Sequence, residues 1–515
     1  MALAIAGERS GVGKTTITLA ILSYLKRSGI TVQSFKVGPD YIDPMFHQDV
    51  TGRPCRNLDP LITSPEYVRQ CFQRHAGQVE VALVEGVMGL FDGVALAGDR
   101  RKEISYQYSE KIALNLGSNS WLQSTDFAST AHIARLLGLP LILVIDCSRL
   151  SGSVAAIAHG YRSLDPRIHL AGVILNRVGS DRHLELLQNA LAPLEIPILG
   201  VMRRQDKIAI PDRHLGLVPT AELSHLDRLL DRLADIAAKS FDWQRLLPLL
   251  REQQKLPALL PKPDGEEMRS RASYQDSLDR IASASQAKIK IAIARDTAFS
   301  FYYQDNLDIL ESLGAELIPW SPLKDSRLPE DIRGLYFGGG FPEVFGEELS
   351  DNSSARDAAR SAIQLGLPVY AECGGLMYLA EQIADFEGKS WPMVGVLPTI
   401  AEMGKRLTLG YRRATALQNS PLLAAGDTVY GHEFHRSQLV CEPASPLFQT
   451  WSYRPGAKPV AEGWHQNSYS DGLKSDRLKS DGLKSGERAV LHASYIHLHW
   501  GSRPDLPARF LQHCR

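Results

Sequence analysis

The feature that most constrains this chain is a glycine-rich segment near its first residue. The apolar run Ala2–Ala6 leads into Gly7-Glu8-Arg9-Ser10-Gly11-Val12-Gly13-Lys14-Thr15-Thr16, and a helical pattern follows. A strand, a glycine turn and a helix in this order direct backbone N–H groups and the positive end of a helix dipole at a phosphate. We therefore predict a nucleotide-binding loop, with contacts from Gly11, Gly13, Lys14, Thr15 and Thr16. The spacing departs from the usual pattern at Glu8, which stands where a glycine is expected.

The first half of the chain alternates short apolar runs with helical patterns. The predicted strands are Ala2–Ala6, Val32–Val37, Val79–Val84, Leu141–Ile145 and Ala171–Leu175, and the predicted helices are Thr15–Lys26, Ser129–Leu137 and Arg182–Ala192. This alternation predicts an α/β fold with a parallel sheet covered by helices on both faces. Ligands of such sheets bind at the carboxyl ends of the strands, so the loops after the strands are the candidate sites.

Carboxylates follow two of these strands, where a magnesium–nucleotide site needs them. Asp40 and Asp43 come shortly after Val37, and Glu85 comes directly after Val84. We predict that a nucleotide binds with Mg²⁺, and that the ion is held by Thr15, Asp40 and Glu85. Each carboxylate taken alone could equally cap a helix or stabilise a turn. Asn176, at the end of another strand, is predicted to contact the nucleotide base.

Composition limits the class of protein. The chain has 515 residues with 57 Lys and Arg against 58 Asp and Glu, a net charge of -1, which argues against nucleic-acid binding through bulk charge. No apolar run approaches the roughly 20 residues that span a bilayer, so no membrane association is expected. The six cysteines form no CxxC pair, so we expect neither a disulfide scaffold nor a zinc site and predict a cytoplasmic protein.

The chain is predicted to have two domains joined by a linker. The boundaries are residues 1–246, a linker at 247–287 that is rich in Pro, Gln, Ser and charge, and a second α/β series at 288–515. The predicted strands of that series are Lys288–Ala294, Glu316–Pro319, Gly334–Phe337 and Pro368–Glu372. Three tandem pentapeptides at 470–484 are too short and polar to bury a core and are expected to form a surface loop.

The second domain contains a candidate nucleophile. Cys373 lies between the apolar strand Pro368–Glu372 and a helical segment that begins with Gly374 and Gly375, the arrangement of a nucleophile elbow. We expect the helix N-terminus to lower the pKa of the Cys373 thiol. A second glycine loop contains Gly339 and Gly340, and its N–H groups are predicted to form an oxyanion hole together with that of Gly374.

A cysteine nucleophile needs a base, and two histidines are candidates. The segment His492–Trp500 alternates like a strand, which places His497 and His499 on one face. Either of them could face the thiol. A second histidine cluster, Gly431–His435, is noted without a role.

The first half resembles the cobyrinate a,c-diamide synthase family, whose N-terminal domain is similar to dethiobiotin synthetase. The resemblance rests on the phosphate loop and on three further motifs: Gly38–Pro44, Glu85–Gly93 and Pro211–Leu217. It implies that Asp40, Asp43, Glu85 and Asp92 surround Mg²⁺, the γ-phosphate and the substrate carboxylates, with Asp43 and Asp92 on the substrate. The segment Leu96–Thr125 is longer than the family pattern, so substrate contacts there are left open.

The second half resembles a class I glutamine amidotransferase domain, which has a flavodoxin-like fold. The resemblance implies that Cys373 is the glutaminase nucleophile and that His497 is its catalytic partner. Many such domains carry Glu two residues after the histidine, but His499 stands there in this chain, so the third member is unassigned. The segments Ala294–Tyr303 and Gly431–His435 also match the cobyrinate-type branch.

Together these features predict an ATP-dependent, glutamine-hydrolysing ligase that amidates the a and c carboxylates of cobyrinate, a corrinoid, through acyl phosphates. Two alternatives stay open. The substrate could be a related tetrapyrrole, hydrogenobyrinate or a nickel sirohydrochlorin, or the first half could be a partitioning-type ATPase, although such proteins usually have Lys where Arg9 stands. The sequence does not decide whether the chain forms a homodimer.

Overall fold

A computed structural model of the chain divides into two compact units, Met1–Leu260 and Pro261–Arg515. The structure describes residues 2–95, 126–204, 211–213, 216–251, 288–454, 456–469 and 487–515. The segment Leu96–Thr125, most of the predicted linker and the pentapeptide repeat at 470–484 lie outside these residues. Among the described helices, none combines the length and apolarity that crossing a membrane requires.

The first unit is built on a seven-stranded parallel sheet in the order β3-β2-β4-β1-β5-β6-β7. Its strands are β1 (Ala2–Gly7), β2 (Val32–Val37), β3 (Arg56–Leu58), β4 (Val81–Glu85), β5 (Leu141–Asp146), β6 (Leu170–Val178) and β7 (Ile198–Arg203), with a separate short pair, β8 (Asp212–Arg213) and β9 (Gly216–Leu217). Its helices are α1 (Lys14–Arg27), α2 (Ile42–Thr51), α3 (Pro65–Ala76), α4 (Thr130–Leu137), α5 (Ser153–Leu164), α6 (Asp181–Leu191), α7 (Leu226–Ser240) and α8 (Trp243–Arg251).

Strand β1 lies at the point where the strand order of the sheet reverses. All six of its residues are buried, and it pairs in parallel with β4 on one side and β5 on the other. Chain connections leave such a position in opposite directions, which opens a crevice at the carboxyl ends of the strands. The predicted phosphate loop follows β1 and therefore lies in that crevice, beside the loops after β2 and β4.

The second unit contains two large sheets and a separate two-stranded pair. Its strands are β10 (Ile289–Ala294), β11 (Phe299–Phe301), β12 (Ala315–Trp320), β13 (Gly334–Phe337), β14 (Gly339–Gly340), β15 (Val369–Glu372), β16 (Ala380–Ala384), β17 (Ser390–Pro392), β18 (Leu397–Ala416), β19 (Thr428–Leu439), β20 (Phe448–Ser452), β21 (Val460–Glu462), β22 (Trp464–Tyr469), β23 (Glu487–Ser494) and β24 (His497–Leu498). Its helices are α9 (Gln304–Ser312), α10 (Gly346–Asp351), α11 (Ser353–Gln364), α12 (Gly374–Leu379) and α13 (Asp505–His513).

The predicted α/β series forms the six-stranded sheet of this unit, in the order β12-β10-β13-β15-β23-β22. All neighbouring strands are parallel except β22, which pairs antiparallel with β23. A second sheet, in which β18 and β19 form the long central pair, was not predicted. A short pair of β11 and β14 joins the second glycine loop to the segment after β10.

The predicted strand over His492–Trp500 is corrected by the structure. Strand β23 ends at Ser494, and His497–Leu498 pairs with β19 in the other sheet. Between these two strands the backbone N–H groups donate to side-chain oxygens and not to a neighbouring strand. The N–H of Tyr495 donates to Glu462 at 2.6 Å, and that of Ile496 donates to Ser494 Oγ at 2.9 Å. The chain therefore changes sheets immediately before His497.

The start of the predicted linker is helical. Helix α8 continues to Arg251, and Leu246 and Leu250 on it are fully buried. Apolar side chains four residues apart share one face of a helix, so this face packs onto the first unit despite Pro248.

Candidate functional sites

The phosphate loop connects the buried strand β1 to helix α1, as predicted. Gly11 and Gly13 have φ angles of 77° and 96°, in the left-handed region that glycine enters without strain. A Cβ at Gly13 would also lie 2.4 Å from Nδ2 of Asn176. Glycine is therefore required at position 13 both by the backbone conformation and by the space available.

Lys14 of this loop is buried and held by backbone carbonyl oxygens. Its ammonium group donates to the carbonyl oxygens of Met88 and, at 3.4 Å, of Arg9. Burial, with the nearby charge of Lys36, lowers the pKa of Lys14 to about 8. An ammonium group whose positive charge is only partly balanced by carbonyl oxygens is suited to bind phosphate oxygens.

Four residues predicted from three separate motifs converge at the loop. The Thr15 hydroxyl lies 2.7 Å from Oε1 of Glu85 and 3.1 Å from Oδ2 of Asp43. The ammonium group of Lys36 forms ion pairs with Asp43, with Glu85 at 2.8 Å and with Asp40 at 3.6 Å. The structure therefore brings Asp40, Asp43 and Glu85 around one buried cation, and Thr15 lies against two of these carboxylates.

The charges of this cluster depend on one another. Burial raises the pKa of Glu85, but Lys36 and His47 beside it outweigh burial and hold its pKa well below the ordinary value. For Asp43, burial and the neighbouring Asp40 raise the pKa to about 7 despite Lys36. Glu85 is accordingly the carboxylate that stays ionised, and Asp43 is the one poised to exchange a proton near neutral pH.

Two residues of this cluster were missed by sequence reasoning. Lys36 lies in the buried strand β2, where a lysine is costly unless it is paired. His47 places Nε2 at 2.7 Å from Oε2 of Glu85, and its Nδ1 lies 3.4 Å from Sγ of Cys55. His47 follows Asp43 by four residues in α2, so both lie on one face of the helix, and this spacing could have predicted His47 as a member of the cluster.

Asp92 and Asn176 have local partners in the structure. Asp92 accepts the N–H of Gly89 at 2.8 Å, so its carboxylate stabilises the loop after β4. Asn176 donates from Nδ2 to the carbonyl oxygen of Val12 at 2.7 Å, and its Oδ1 accepts the N–H of Arg177 at 2.9 Å. Asn176 thus holds the phosphate loop in place, and its contact with a base stays a prediction, as does the substrate role of Asp92.

Cys373 lies on a sharp turn between β15 and α12. Its φ angle is 47°, a strained value for any residue other than glycine and one typical of functional sites. Its N–H donates to the carbonyl oxygen of Ser494 at 2.8 Å, and its Sγ lies 3.9 Å from the carbonyl oxygen of Phe434. The side chain is 4% exposed, at the carboxyl end of the parallel sheet.

The expected fall in the pKa of the thiol is wrong for this structure. Burial is the largest influence and, together with the charge of Glu343, it raises the pKa of Cys373. The N–H of Gly374 at the start of α12 opposes this rise but does not overcome it. Cys373 is therefore a neutral thiol at rest, and formation of a thiolate needs a base.

The predicted oxyanion glycines meet beside Cys373. A Cβ at Gly374 would lie 3.0 Å from the amide nitrogen of Gly340, and a Cβ at Gly339 would lie 2.6 Å from Cε1 of His497. A side chain at Gly339 would collide with His497, and one at Gly374 would fit only if its neighbours moved. Gly339, Gly340, Gly374 and His497 are thus neighbours in the structure.

The two candidate histidines have different surroundings. His497 is 1% exposed, its Nδ1 lies 3.6 Å from Oε2 of Glu372, and its ring stacks on that of His432 with 5.1 Å between centroids. His499 directs Nε2 towards Asp305 at 3.6 Å, and its Nδ1 accepts the N–H of Gly501 at 3.1 Å. His497, of the two, contacts the glycine loop and the residue that precedes Cys373.

The second histidine cluster also belongs to this site. Strand β19 provides the Phe434 carbonyl that faces the Cys373 thiol, and Glu433 is paired with Arg412 at 2.6 Å. Sequence reasoning noted Gly431–His435 but gave it no role. Arg412 was missed because it lies in β18, whose long run of mixed polar residues shows no buried-strand pattern.

Comparisons with known proteins agree with both halves. Residues 3–218 match the family model "CobQ/CobB/MinD/ParA nucleotide binding domain", and residues 290–505 match "CobB/CobQ-like glutamine amidotransferase domain". The nucleotide-binding domain and the glutamine amidotransferase domain predicted from the sequence are confirmed in this order, as is the two-domain α/β fold.

Similar full-length proteins carry related names. The chain is 53% identical over 515 residues to cobyrinate a,c-diamide synthase of a Synechococcus strain, covering 100% of this chain and 98% of that protein. It is 48% identical to the protein of that name from a Synechocystis strain, over 100% of this chain and 93% of the relative. It is 38% identical to hydrogenobyrinate a,c-diamide synthase of Streptomyces coelicolor, over 100% of this chain and 97% of that protein. The chain therefore belongs to the cobyrinate a,c-diamide synthase family.

Proposed function

We propose that this chain amidates the a and c side-chain carboxylates of cobyrinate, with ATP as the activating reagent and glutamine as the nitrogen donor. The observation that carries the proposal is the pairing of two sites on one chain: a phosphate loop beside clustered carboxylates, and a cysteine elbow beside a histidine and a second glycine loop. The relatives that match the whole chain supply the substrate class.

The N-terminal site would bind ATP through Gly11, Gly13, Lys14, Thr15 and Thr16. The residues beside it fit a divalent cation, since carboxylate oxygens already surround the Lys36 ammonium there and the Thr15 hydroxyl lies against one of these carboxylates. Thr15, Asp40 and Glu85 would hold Mg²⁺, which neutralises charge on the phosphate oxygens of the nucleotide when it is bound. Asp43 and Asp92 are the residues proposed for the substrate side.

Activation is required because a carboxylate does not react with ammonia at neutral pH. The substrate carboxylate oxygen attacks the γ-phosphorus of ATP, ADP leaves, and an acyl phosphate is formed. Ammonia then adds to the acyl carbon and inorganic phosphate leaves, which gives the amide. Two amides require two ATP and two glutamines. Lys14 contributes positive charge to the transferring phosphoryl group.

The C-terminal site would release the ammonia. Cys373 passes its proton to His497 and attacks the side-chain carbonyl carbon of glutamine, while N–H groups of Gly339, Gly340 and Gly374 bind the oxyanion. The carbon–nitrogen bond breaks, ammonia leaves with the proton, and water hydrolyses the glutamyl thioester to glutamate. The neutral thiol at rest agrees with a base-dependent attack.

Hydrogenobyrinate is the second candidate substrate, because a relative that matches the whole chain carries that name. A panel of cobyrinate, hydrogenobyrinate and nickel sirohydrochlorin, followed by mass change in single amide steps, decides among them. We place the reaction in the cytoplasm, because none of the six cysteines forms a disulfide, as a reducing compartment favours.

The test separates the two sites. We expect Cys373→Ser to lose glutamine-dependent synthesis and to keep ammonium-dependent synthesis, and Lys14→Ala to lose both while it retains basal glutamine hydrolysis. Loss of both nitrogen sources by folded Cys373→Ser would refute the assigned division of labour. Full amidation by Lys14→Ala would remove ATP activation through this loop.

A further inference from the structure

Glu372 carries a buried carboxylate that the reaction above does not use. It is the last residue of β15, directly before Cys373, and is 1% exposed. A buried carboxylate is costly unless it has partners. Its Oε1 accepts the hydroxyl of Tyr370 and the N–H of Leu498, the latter at 3.0 Å. The second contact ties the carboxylate to the backbone immediately after His497.

The other oxygen of this carboxylate faces the imidazole. Oε2 of Glu372 lies 3.6 Å from Nδ1 of His497, and both side chains are 1% exposed. This distance is longer than a hydrogen bond, and catalytic contacts of this kind commonly shorten only when substrate is bound. The carboxylate and the imidazole are thus next to each other in a site that is almost inaccessible to solvent.

We propose that Glu372 is the positioning residue of the glutaminase site, which orients His497 and stabilises its positive charge. This inference rests on the proposed roles of Cys373 and His497. The place two residues after His497 holds His499, which faces Asp305 instead. The carboxylate that supports the base is therefore provided by the strand that carries the nucleophile.

The proton balance shows when Glu372 acts. A proton moves from Sγ of Cys373 to His497 as the sulfur–carbon bond forms, and it leaves on ammonia as the carbon–nitrogen bond breaks. The imidazole is charged only between these steps. A carboxylate beside Nδ1 stabilises that charged state and fixes the tautomer of the neutral one. Loss of Glu372 should consequently lower kcat and leave KM for glutamine nearly unchanged.

Among the described residues, three other titratable groups on β19 lie near His497, and Glu433 is the one of them that also interacts with its charge. Burial and His497 itself lower the pKa of His432 well below its ordinary value, and burial lowers the pKa of His435 to about 4, so both are neutral near pH 7. Glu433, also on β19, is already paired with Arg412.

The experiment compares Glu372→Gln with Glu372→Asp in the full chain. We expect Glu372→Gln to lower the kcat of glutamine hydrolysis about 100-fold and to move the acid limb of its pH profile to lower pH, because His497 loses a stabilising negative charge. Ammonium-dependent synthesis should be unchanged in both variants. Glu372→Asp keeps the charge on a shorter side chain, so it should retain more kcat than the isosteric Gln variant.

The matched control is Glu462→Gln, which removes the charge of a partly buried carboxylate that accepts hydrogen bonds from the Ser494 hydroxyl and the Tyr495 N–H. We expect it to keep the acid limb of the pH profile. Glu372→Gln with parental kcat and pH profile, or with more activity than Glu372→Asp, would overturn the positioning role and leave the role of Cys373 intact. If Cys373→Ser also kept its glutaminase activity, the proposed function itself would fail.

Discussion

The hydroxyl of Thr15 lies 2.7 Å from Oε1 of Glu85, which joins the first turn of α1 to the end of β4. The same carboxylate oxygen also lies 2.8 Å from the ammonium group of Lys36, and Oε2 lies 2.7 Å from His47. One buried side chain thus connects the nucleotide loop to both β2 and α2. Its charge, more than its shape, should determine how well the site binds a metal–nucleotide complex.

Glu85→Gln tests this relationship. The change preserves the size of the side chain and removes its charge, so we expect ammonium-dependent synthesis to fall by about 100-fold or more and the magnesium requirement to rise. Glutamine hydrolysis measured by itself should be unaffected. The control is Asp181→Asn, an exposed carboxylate of the same unit with a side chain 97% exposed. Parental synthesis by Glu85→Gln across a magnesium titration would contradict the prediction.

The second prediction concerns Gly13. We expect Gly13→Ala to abolish binding of an ATP analogue, because its Cβ would lie 2.4 Å from Asn176 and its φ angle is 96°. Adding Asn176→Ala relieves the collision but not the backbone strain, which costs about 1 to 2 kcal/mol, and should restore part of the binding. Calorimetric titration of the two variants and the Asn176→Ala single variant measures this.

Gly11→Ala is the internal comparison for that experiment. Gly11 also has a positive φ angle, 77°, but nothing lies within 4 Å of a Cβ placed there. Gly11→Ala should therefore weaken binding of the ATP analogue less than Gly13→Ala does. Equal losses in the two variants would show that strain alone, and not the contact with Asn176, decides the effect.

The third prediction concerns Gly374. Gly374→Ala would place a methyl group 3.0 Å from the Gly340 amide nitrogen, which would disturb the oxyanion site proposed for the two N–H groups. We expect kcat for glutamine hydrolysis to fall by about 100-fold, with ammonium-dependent synthesis retained. Gly388→Ala, in open space on a turn, should leave hydrolysis unchanged. A Gly374→Ala enzyme with parental hydrolysis would rule out the oxyanion assignment.

The fourth prediction is a pH dependence of stability. Burial, followed by the charge of Glu433, raises the pKa of Glu462 from 4.5 to about 8. Between these pH values the folded chain keeps a proton on Glu462 that the unfolded chain has lost. The contribution of Glu462 to the unfolding free energy is therefore fully present below pH 4.5 and is lost as the pH rises through about 8. Glu462→Gln removes this decline.

The measurement is urea unfolding of the full chain at pH 5 and pH 8, followed by a signal that reports on the second unit. The unfolding free energy of Glu462→Gln minus that of the parent should increase by roughly 1 to 3 kcal/mol from pH 5 to pH 8. Parallel stability profiles for parent and variant would show that Glu462 does not titrate in this window.

Sequence reasoning succeeded where a signal was local. Strands β2 and β13 were predicted to the residue, and β1, β5 and β15 to within one residue at either end. It missed β3, which is three residues long and includes Arg56 and Asn57, and the edge strand β7. It also missed the sheet around β18, whose polar residues have no strict alternation. Short or mixed strands acquire their stability from neighbours that no window of sequence contains.

The sequence by itself determined the two domain types and the positions of Lys14 and Cys373, because each follows a buried strand and precedes a helix through glycines that tolerate the turn. Only the tertiary structure decided how Lys36 and His47 complete the carboxylate cluster, and that Glu372 rather than His499 faces His497. Glu372 and Leu498, whose N–H it accepts, are 126 residues apart. Burial makes partners that are far apart in the sequence essential, because a carboxylate shielded from solvent must form its hydrogen bonds and ion pairs with the groups that the fold places beside it.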